Sequence, residues 1–519
     1  MTGLFFVVAF GFYLAGASPA IAPRDAADMA SAALTLGVAH PPGYPLYAVL
    51  GRMWLTIFPL GNSAYRLAVL SALAASGAVA LLFAAVRRRS GAWAGLTAAT
   101  VLAFSAPLWK FALIQEKYSF HALFAVVLYV LSEADRSSVW RRARLSGLLI
   151  GLGLVNHQSL LLFLPGLFFL WRRECLRCDV PLIRAASVAA PWLAAGLSLY
   201  LFLWIRLGAF SSALSTALRS QYGMGTLFAG LAAPLTQERI VRLIAWSLKT
   251  WAEAVSFPAA VAAVIGLVWA WRADRLRAGG LLLGAVMAGP LFVVLSRFDV
   301  SNWVARSVLE PAFLLPALAA AVFAGEFVGR LKIGGPWMCW TLVAGAILLR
   351  APIPERRDDF LAYDYARNLR RAVPPGGALL AGGDTALFGL RWLDLTEPRT
   401  PSREVAGAGL TDARAWLAEK SGRSDVFAAG IAPAALSRPS APEGLVVRVG
   451  TRPGSSAPII VLRRPRGWRR DESYARDAKL SYAFASWVSA RLLEAQGMTA
   501  PEALDLNAVA LDPEDYRLE

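Results

Sequence analysis

Residues 23–47 read PRDAADMASAALTLGVAHPPGYPLY. Two aspartates, Asp25 and Asp28, stand three apart at its start. An eight-residue block with three prolines, a glycine, two tyrosines and His40 closes it. The Ala-rich middle favours a helix, and Gly37 suits its end. With both aspartates on that helix, their carboxylates share a face. Asp25 also suits the cap and Asp28 complements the helix dipole, so structural and catalytic readings both stand. Pro41 and Pro42 stop any helix, and Gly43 permits a turn of positive φ. The block therefore predicts a rigid corner at a membrane surface, with Tyr44 and Tyr47 as interfacial anchors. A corner needs no histidine, which makes His40 a candidate for function.

The chain around this stretch is oily. Its 519 residues are 57% hydrophobic, and a mean hydropathy of +0.51 points to a polytopic membrane protein. Net charge is +17. A basic excess can mean nucleic acid, but the arginines here sit in short runs between apolar stretches, which marks membrane topology instead. Cys175 and Cys178 form a CxxC with no second pair, so no zinc site is expected.

A bilayer crossing needs about 20 apolar residues. Spans are expected near 3–22, 65–86, 91–109, 111–132, 145–156, 158–171, 185–205, 250–271, 279–296, 308–329 and 336–350. The first reads as uncleaved, because no Lys or Arg precedes it. The short pair around Asn156-His157 reads as two tilted spans or a re-entrant hairpin. Basic runs fall in alternate loops: Arg87–Arg89, Arg136–Arg144, Arg172–Arg184, Arg272–Arg277 and Arg330–Lys332. These loops are expected in the cytoplasm, with loops 23–64, 206–249 and 297–307 outside. Eleven spans put the N-terminus inside and the C-terminus outside. Residues 1–350 thus form the membrane domain with its outer loop 23–64. Residues 351–519 are expected to form a small extracytoplasmic α/β domain, with strands at 445–450 and 458–464, helices at 411–420 and 470–496, and an exposed connection at 435–444. Neither an internal repeat nor inverted hydropathy symmetry is visible.

Further polar residues fall near the outer level. Glu116 and Lys117 are placed about 8–9 Å below the outer end of the fourth span, at 1.5 Å per residue. Lys117 and His121 share a helix face. Charged residues at such depth line cavities or bind, unless they simply pair with each other. His157 lies at the hairpin tip. Arg306 is read as a phosphate ligand or an interfacial anchor.

The D-x-x-D stretch followed by LGVAHPPGYPLYAVLGRMW (36–54) and GNSAYRLAVLSAL (61–73) resembles the protein O-mannosyltransferase-like family of membrane glycosyltransferases. QEKYSFHALF (115–124), GLGLVNHQSLLLFLP (151–165), RSVLEP (306–311) and YARNLRRAVPPGGALLAGGDTALFGL (365–390) continue the resemblance. It implies a GT-C-like fold, a polyprenyl-phosphate sugar donor, an extracytoplasmic protein or glycan acceptor, and a catalytic acid in the first outer loop of a bacterial inner-membrane protein. Asp25 matches that acid. Asp28 stands where the family more often has Glu, in a D-S-G-E pattern that here reads Asp25-Ala26-Ala27-Asp28. Asp25 is then the general base and Asp28 its assistant. Glu116, Lys117, His157 and Arg306 are candidates for the phosphate side, while His40 and Tyr44 shape the site or contact the sugar. A nucleotide-sugar donor is not expected, because the outer face carries no Gly-rich phosphate loop. No spacing specifies a metal site, and a need for Mg or Mn is left open. A transporter or lipid flippase, or an inactive scaffold, are the alternatives.

Overall fold

The computed structural model describes residues 1–133, 138–220, 235–301, 303–331, 333–348, 356–398, 403–407, 412–420, 422–423, 425–429, 440–443, 445–449 and 482. The chain divides into two compact units. One comprises Met1–Ala17, Ala32–Leu60 and Arg66–Glu355; the other comprises Ser18–Ser31, Gly61–Tyr65 and Arg356–Glu519. Two pieces of the expected outer loop therefore cluster with the C-terminal residues.

The membrane unit is helical. It contains α1 (Thr2–Gly16), the end of α2 (Ala26–Thr35), α3 (Pro45–Ile57), most of α4 (Ser63–Ser90), α5 (Ala92–Ala103), α6 (Ala106–Ala112), α7 (Tyr118–Ser132), α8 (Val139–Asn156), α9 (Leu164–Arg177) and α10 (Leu182–Leu197). It continues with α11 (Leu201–Leu207), α12 (Phe210–Ala217), α13 (Gln237–Val255), α14 (Phe257–Ala273), α15 (Arg275–Val286), α16 (Phe292–Ser296), α17 (Trp303–Leu309), α18 (Leu314–Arg330) and α19 (Gly335–Leu348). Among the described residues, four helical stretches are long and apolar enough to cross a bilayer: 63–90, 182–207, 275–296 and 305–330. Six qualify if each bent pair, α5 with α6 and α13 with α14, is one crossing, and α1, α7 and α19 are shorter apolar helices. These criteria do not fix the expected eleven. These apolar helices are those of an α-helical integral membrane protein.

Several expected spans are broken, each for a local reason. The first ends at Gly16, because Ala17 turns extended ahead of Ser18-Pro19. The third bends by 65° between α5 and α6, with Pro107 in the first turn of α6. The eighth, expected at 250–271, is cut at Ser256 (φ 77°). Pro258 opens α14 there, and α13 joins it at 105°. Helix α13 itself begins at Gln237, inside the loop expected at 206–249. Where helices meet closely, glycine is required. A Cβ on Gly266 of α14 would fall 1.9 Å from the Phe323 carbonyl oxygen of α18.

The basic loops converge. Arg89 at the end of α4 pairs with Glu133, just past α7, at 3.3 Å and with Glu326 of α18 at 3.4 Å. Arg173 of α9 pairs with Glu133 at 3.3 Å and with Asp274, ahead of α15. Arg277 of α15 pairs with Glu133 at 3.1 Å and with Glu326, and donates to Tyr129 Oη at 2.6 Å. Arg142 of α8 bonds Glu174 of α9 at 2.6 Å. All five basic runs thus have a member at one end of the helices, the fifth through Arg330, which reaches Glu326 at 3.8 Å. Their alternation in sequence becomes proximity in space. The α8–α9 hairpin starts and finishes in this network, while its tip at His157 reaches the start of α7, so it is as tall as α7.

The C-terminal unit holds a five-stranded sheet in the order β2-β1-β3-β5-β4. Its strands are β1 (Ala378–Ala381), β2 (Glu404–Gly407), β3 (Val426–Ala429), β4 (Ser440–Glu443) and β5 (Val446–Val449). β2, β1 and β3 run parallel, while β5 is antiparallel to β3 and β4. β1 is buried along its whole length, as an ALLA run between glycine pairs suggests. Helices α20 (Leu361–Ala372), α21 (Asp384–Thr396) and α22 (Ala413–Glu419) complete it, and Asp412 caps α22 through its side chain. β5 and α22 lie where strand and helix were expected. The connection expected at 435–444 instead contains β4, because its residues pair with β5. The strand expected at 458–464 and the helix at 470–496 lie outside the described residues, apart from Tyr482.

Candidate functional site

The HPPGYPLY corner is built as its composition demands. The Pro41–Pro42 bond is cis, Gly43 has φ +90°, and its N–H donates to the His40 carbonyl at 2.9 Å. The positive φ disfavours any side chain at Gly43, and a Cβ there would also push on the Leu203 side chain, 2.7 Å away. Tyr44 follows in the left-handed region (φ 45°) and opens α3, with Pro45 in its first turn. Tyr44 and Tyr47 are not interfacial anchors: both are buried, at 3% and 1% exposure. The turn aims them inward, because a residue at positive φ redirects the chain by a sharp angle before α3 starts.

Around Tyr44 the chain gathers its three histidines. The His40 ring meets Tyr44 edge-on at 5.0 Å, and His157 stacks on Tyr44 at 6.1 Å and 15°. His121 lies 5.4 Å from His157, and Tyr118 lies 5.0 Å from it. Ser159 ties the pair together: its Oγ is 2.6 Å from His157 Nδ1 and 3.3 Å from His121 Nε2. The Lys117 ammonium sits 4.8 Å from the Tyr44 ring centre and 4.6 Å from that of Tyr118, and 3.0 Å from Glu116 Oε2. The Lys117 and Glu116 side chains are wholly buried.

The position of Lys117 differs from expectation. The fourth span does not run through it. Residues 113–117 break the helix between α6 and α7, and Lys117 is the residue immediately before α7. The break is held from outside. Asn156 Nδ2 donates to the Lys117 carbonyl at 3.1 Å, Ser71 Oγ of α4 to the Glu116 carbonyl at 3.3 Å, and Ser119 Oγ to the Phe111 carbonyl at 3.0 Å. Backbone groups freed inside a membrane protein need such partners. Lys117 and His121 do share a face, with the His121 N–H on the Lys117 carbonyl at 3.1 Å.

Arg306 is placed elsewhere in its bonding. Its Nε and Nη2 donate to the carbonyls of Val300 (2.9 Å) and Ser301 (2.8 Å), closing the turn before α17. Glu310 pairs with Lys110 at 2.5 Å. Sequence reading missed Arg219, which stands in a left-handed turn within electrostatic reach of His157. It also missed Ser71 and Ser159. Ser159 sits in the quoted NHQS run and was findable; Ser71 is 45 residues from the group it holds and carries no local signal. Among the described residues no three His, Cys, Asp or Glu groups converge as a metal site would.

Asp25 and Asp28 belong to the C-terminal unit. Asp25 does not lie on the helix. It ends the preceding turn, its carbonyl accepting from the Met29 N–H at 2.9 Å, and α2 begins at Ala26. Asp28 is in the first turn and buried at 8% exposure, so the two carboxylates leave from different backbone geometries. Arg24, just before, is left-handed (φ 66°), and its N–H donates to Thr385 Oγ1 at 2.8 Å. Thr385 lies in the first turn of α21, directly after the Gly382-Gly383 turn that ends β1. The carboxyl end of a parallel strand therefore fixes the backbone that presents Asp25. At the other end of the helix, Leu36 rather than Gly37 takes the left-handed conformation (φ 48°), and Gly37 donates to the Ala32 carbonyl at 2.9 Å.

This fold is shared with a solved structure. ArnT from Cupriavidus metallidurans, in its crystal structure bound to undecaprenyl phosphate, matches with a TM-score of 0.51 and 14% identity, over 82% of this chain and 92% of that one. Residues 25–175 match the family described as the protein O-mannosyl-transferase TMEM260 N-terminal domain. The chain is similar to protein O-mannosyl-transferase TMEM260 of Mus musculus, at 28% identity over 414 residues, 73% of this chain and 58% of that one. It is also similar to protein O-mannosyl-transferase tmem260 of Dictyostelium discoideum, at 21% identity over 487 residues, 82% of this chain and 59% of that one. The resemblance drawn from HPPGYPLY and the later motifs holds. The chain spans just under three fifths of the length of these two relatives.

Proposed function

We propose that the chain is a membrane glycosyltransferase that moves a sugar, mannose by analogy with the named relatives, from a polyprenyl-phosphate carrier to a hydroxyl on an extracytoplasmic protein or glycan. The observation that carries this reading is the cluster of buried Lys117, buried His121, half-buried His40 and His157, and two tyrosine faces built on the HPPGYPLY corner. A carrier-linked sugar needs a cationic contact for its phosphate and a flat apolar face for its ring, and this cluster offers both.

In this reading Asp25 accepts the proton of the acceptor hydroxyl as its oxygen attacks the anomeric carbon. The bond from that carbon to the phosphate oxygen breaks, and polyprenyl phosphate leaves with the electron pair. Lys117 and His157 are the groups assigned to the growing negative charge. Arg306 is a weaker candidate, since two of its donors already serve Val300 and Ser301. Tyr44 and His40 are assigned to the sugar. Asp28, in the first turn of α2, favours the positive end of that helix and assists from there. The convergence of the basic runs at one helix end supports a cytoplasmic location for that end in a bacterial inner membrane, with Asp25 and the C-terminal unit outside.

The test is transfer of labelled mannose from a polyprenyl-phosphate donor by the parent and by Asp25→Asn. Removing a general base lowers the rate by about 10²–10⁴-fold. Unchanged transfer in an Asp25→Asn protein that inserts and melts normally refutes the assignment. Donor flux across vesicles that persists in this variant, without transfer, favours a flippase.

A further inference from the structure

In the C-terminal unit, four arginines surround a pocket of about 320 Å³. Arg367, Arg370 and Arg371 come from α20, Arg403 from the residue before β2, and Val373, Pro374 and Pro375 complete the lining. Two of the guanidiniums are fixed in advance. Arg370 bonds Glu397 and reaches the Leu393 carbonyl at 3.3 Å. Arg403 donates to the carbonyls of Val373 (2.8 Å) and Arg370 (2.6 Å). Among the described residues, Arg367 and Arg371 have no carboxylate within ion-pair distance; Arg367 lies 5.4 Å from the Tyr363 ring centre, and Arg371 is exposed.

Among the described residues, Glu397 acts on Arg370 and Arg367, and Asp394 acts on Arg403. Burial, aided by the neighbouring Arg370 charge, pulls the Arg403 guanidinium below its ordinary value, against the opposing pull of Asp394. Positive groups gathered along one cavity favour an anion there. Guanidinium forks match phosphate oxygens in pairs, and a phosphomonoester carries about −1.5 to −2 at neutral pH. The cavity is of ordinary ligand size.

We propose that this pocket binds a phosphate-bearing anion, a phosphomonoester or diphosphate, presented by a lipid headgroup or free in solution. The probe is inorganic pyrophosphate, titrated calorimetrically into the full-length chain in detergent. Saturable binding is expected, and R367Q/R371Q should weaken it by at least about tenfold while leaving the melting curve unchanged. The single Arg371→Gln, at an exposed side chain, should show a smaller loss and guards against misfolding of the pair. R423Q, a surface arginine outside the pocket, should bind as the parent does. The same titration in phosphatidylcholine nanodiscs separates the sources: competition by added phosphatidic acid assigns a lipid headgroup, and indifference to it assigns a free anion. No binding by the parent, equal binding by R367Q/R371Q, or loss of binding only when Lys117 is replaced overturns the proposal.

Discussion

The two ends of α7 place charge in the membrane unit in opposite ways. Past its C-terminus, Glu133 accepts from Arg89, Arg173 and Arg277, and each of these arginines has a further acid, Glu326 or Asp274. Before its N-terminus, roughly 24 Å away along the axis, Lys117 pairs with Glu116 and lies against aromatic faces, with histidines beside them. At one end charge answers charge across five helices. At the other, an ion pair sits among rings and histidines, groups that stack, donate and accept. Buried ion pairs of the first kind hold a fold in register, and polar clusters of the second kind are where chemistry is found.

That contrast can be broken most forcefully at the saturated end. Arg277→Met leaves Glu133 and Glu326 short of a buried partner and should cost about 3–5 kcal/mol in stability. Thermal melting of the purified protein reads it. Transfer per folded molecule should persist, and the paired R277M/E326Q should regain part of the loss. A melting curve that does not move would mean that the network is decoration.

A smaller effect is expected at Thr385. Thr385→Val removes the acceptor of the Arg24 N–H and should lower stability by about 1 kcal/mol. The turn that presents Asp25 loosens, so the transfer rate should fall while donor binding holds. Equal rates for variant and parent would separate Asp25 from its supposed support.

The smallest effect is a pH dependence in the C-terminal unit. Burial opposes the charge on Glu397, but hydrogen bonds from Arg370 and Tyr363 win and hold its carboxyl below the ordinary 4.5. A depressed carboxylate stabilises the fold at pH above its unfolded value, and the benefit disappears as pH falls through the lower folded value. Melting of the parent should therefore decline more steeply than that of Glu397→Gln as pH drops below 4.5. Parallel curves would contradict the pairing.

Much of this was legible in the residues. The apolar runs, the alternating basic loops, the Gly43 turn and the β1–turn–α21 run follow from hydropathy, charge and glycine placement. The helix break at 113–117 was not, because Gln115, Glu116 and Lys117 are ordinary helix formers; what unwinds them is Ser71, Ser119 and Asn156 bonding their neighbourhood from other elements. The burial of Tyr44 and Tyr47 was missed for a similar reason, since an aromatic beside a proline corner reads the same whether it faces lipid or core. Of the two places read for Asp25, on the helix or at its cap, the structure has the second: it stands just before α2 and its carbonyl accepts from the Met29 N–H.

The most direct measurement is donor affinity in the charge-balanced variant E116Q/K117M. It removes both members of this ion pair at once, so neither is left facing the other's vacancy. Titration of polyprenyl phosphate into this variant should show affinity reduced by about tenfold or more, with the melting curve close to that of the parent. Parental affinity combined with a large fall in melting temperature would make this end of α7 one more structural ion pair, and the catalytic reading of the cluster would fail.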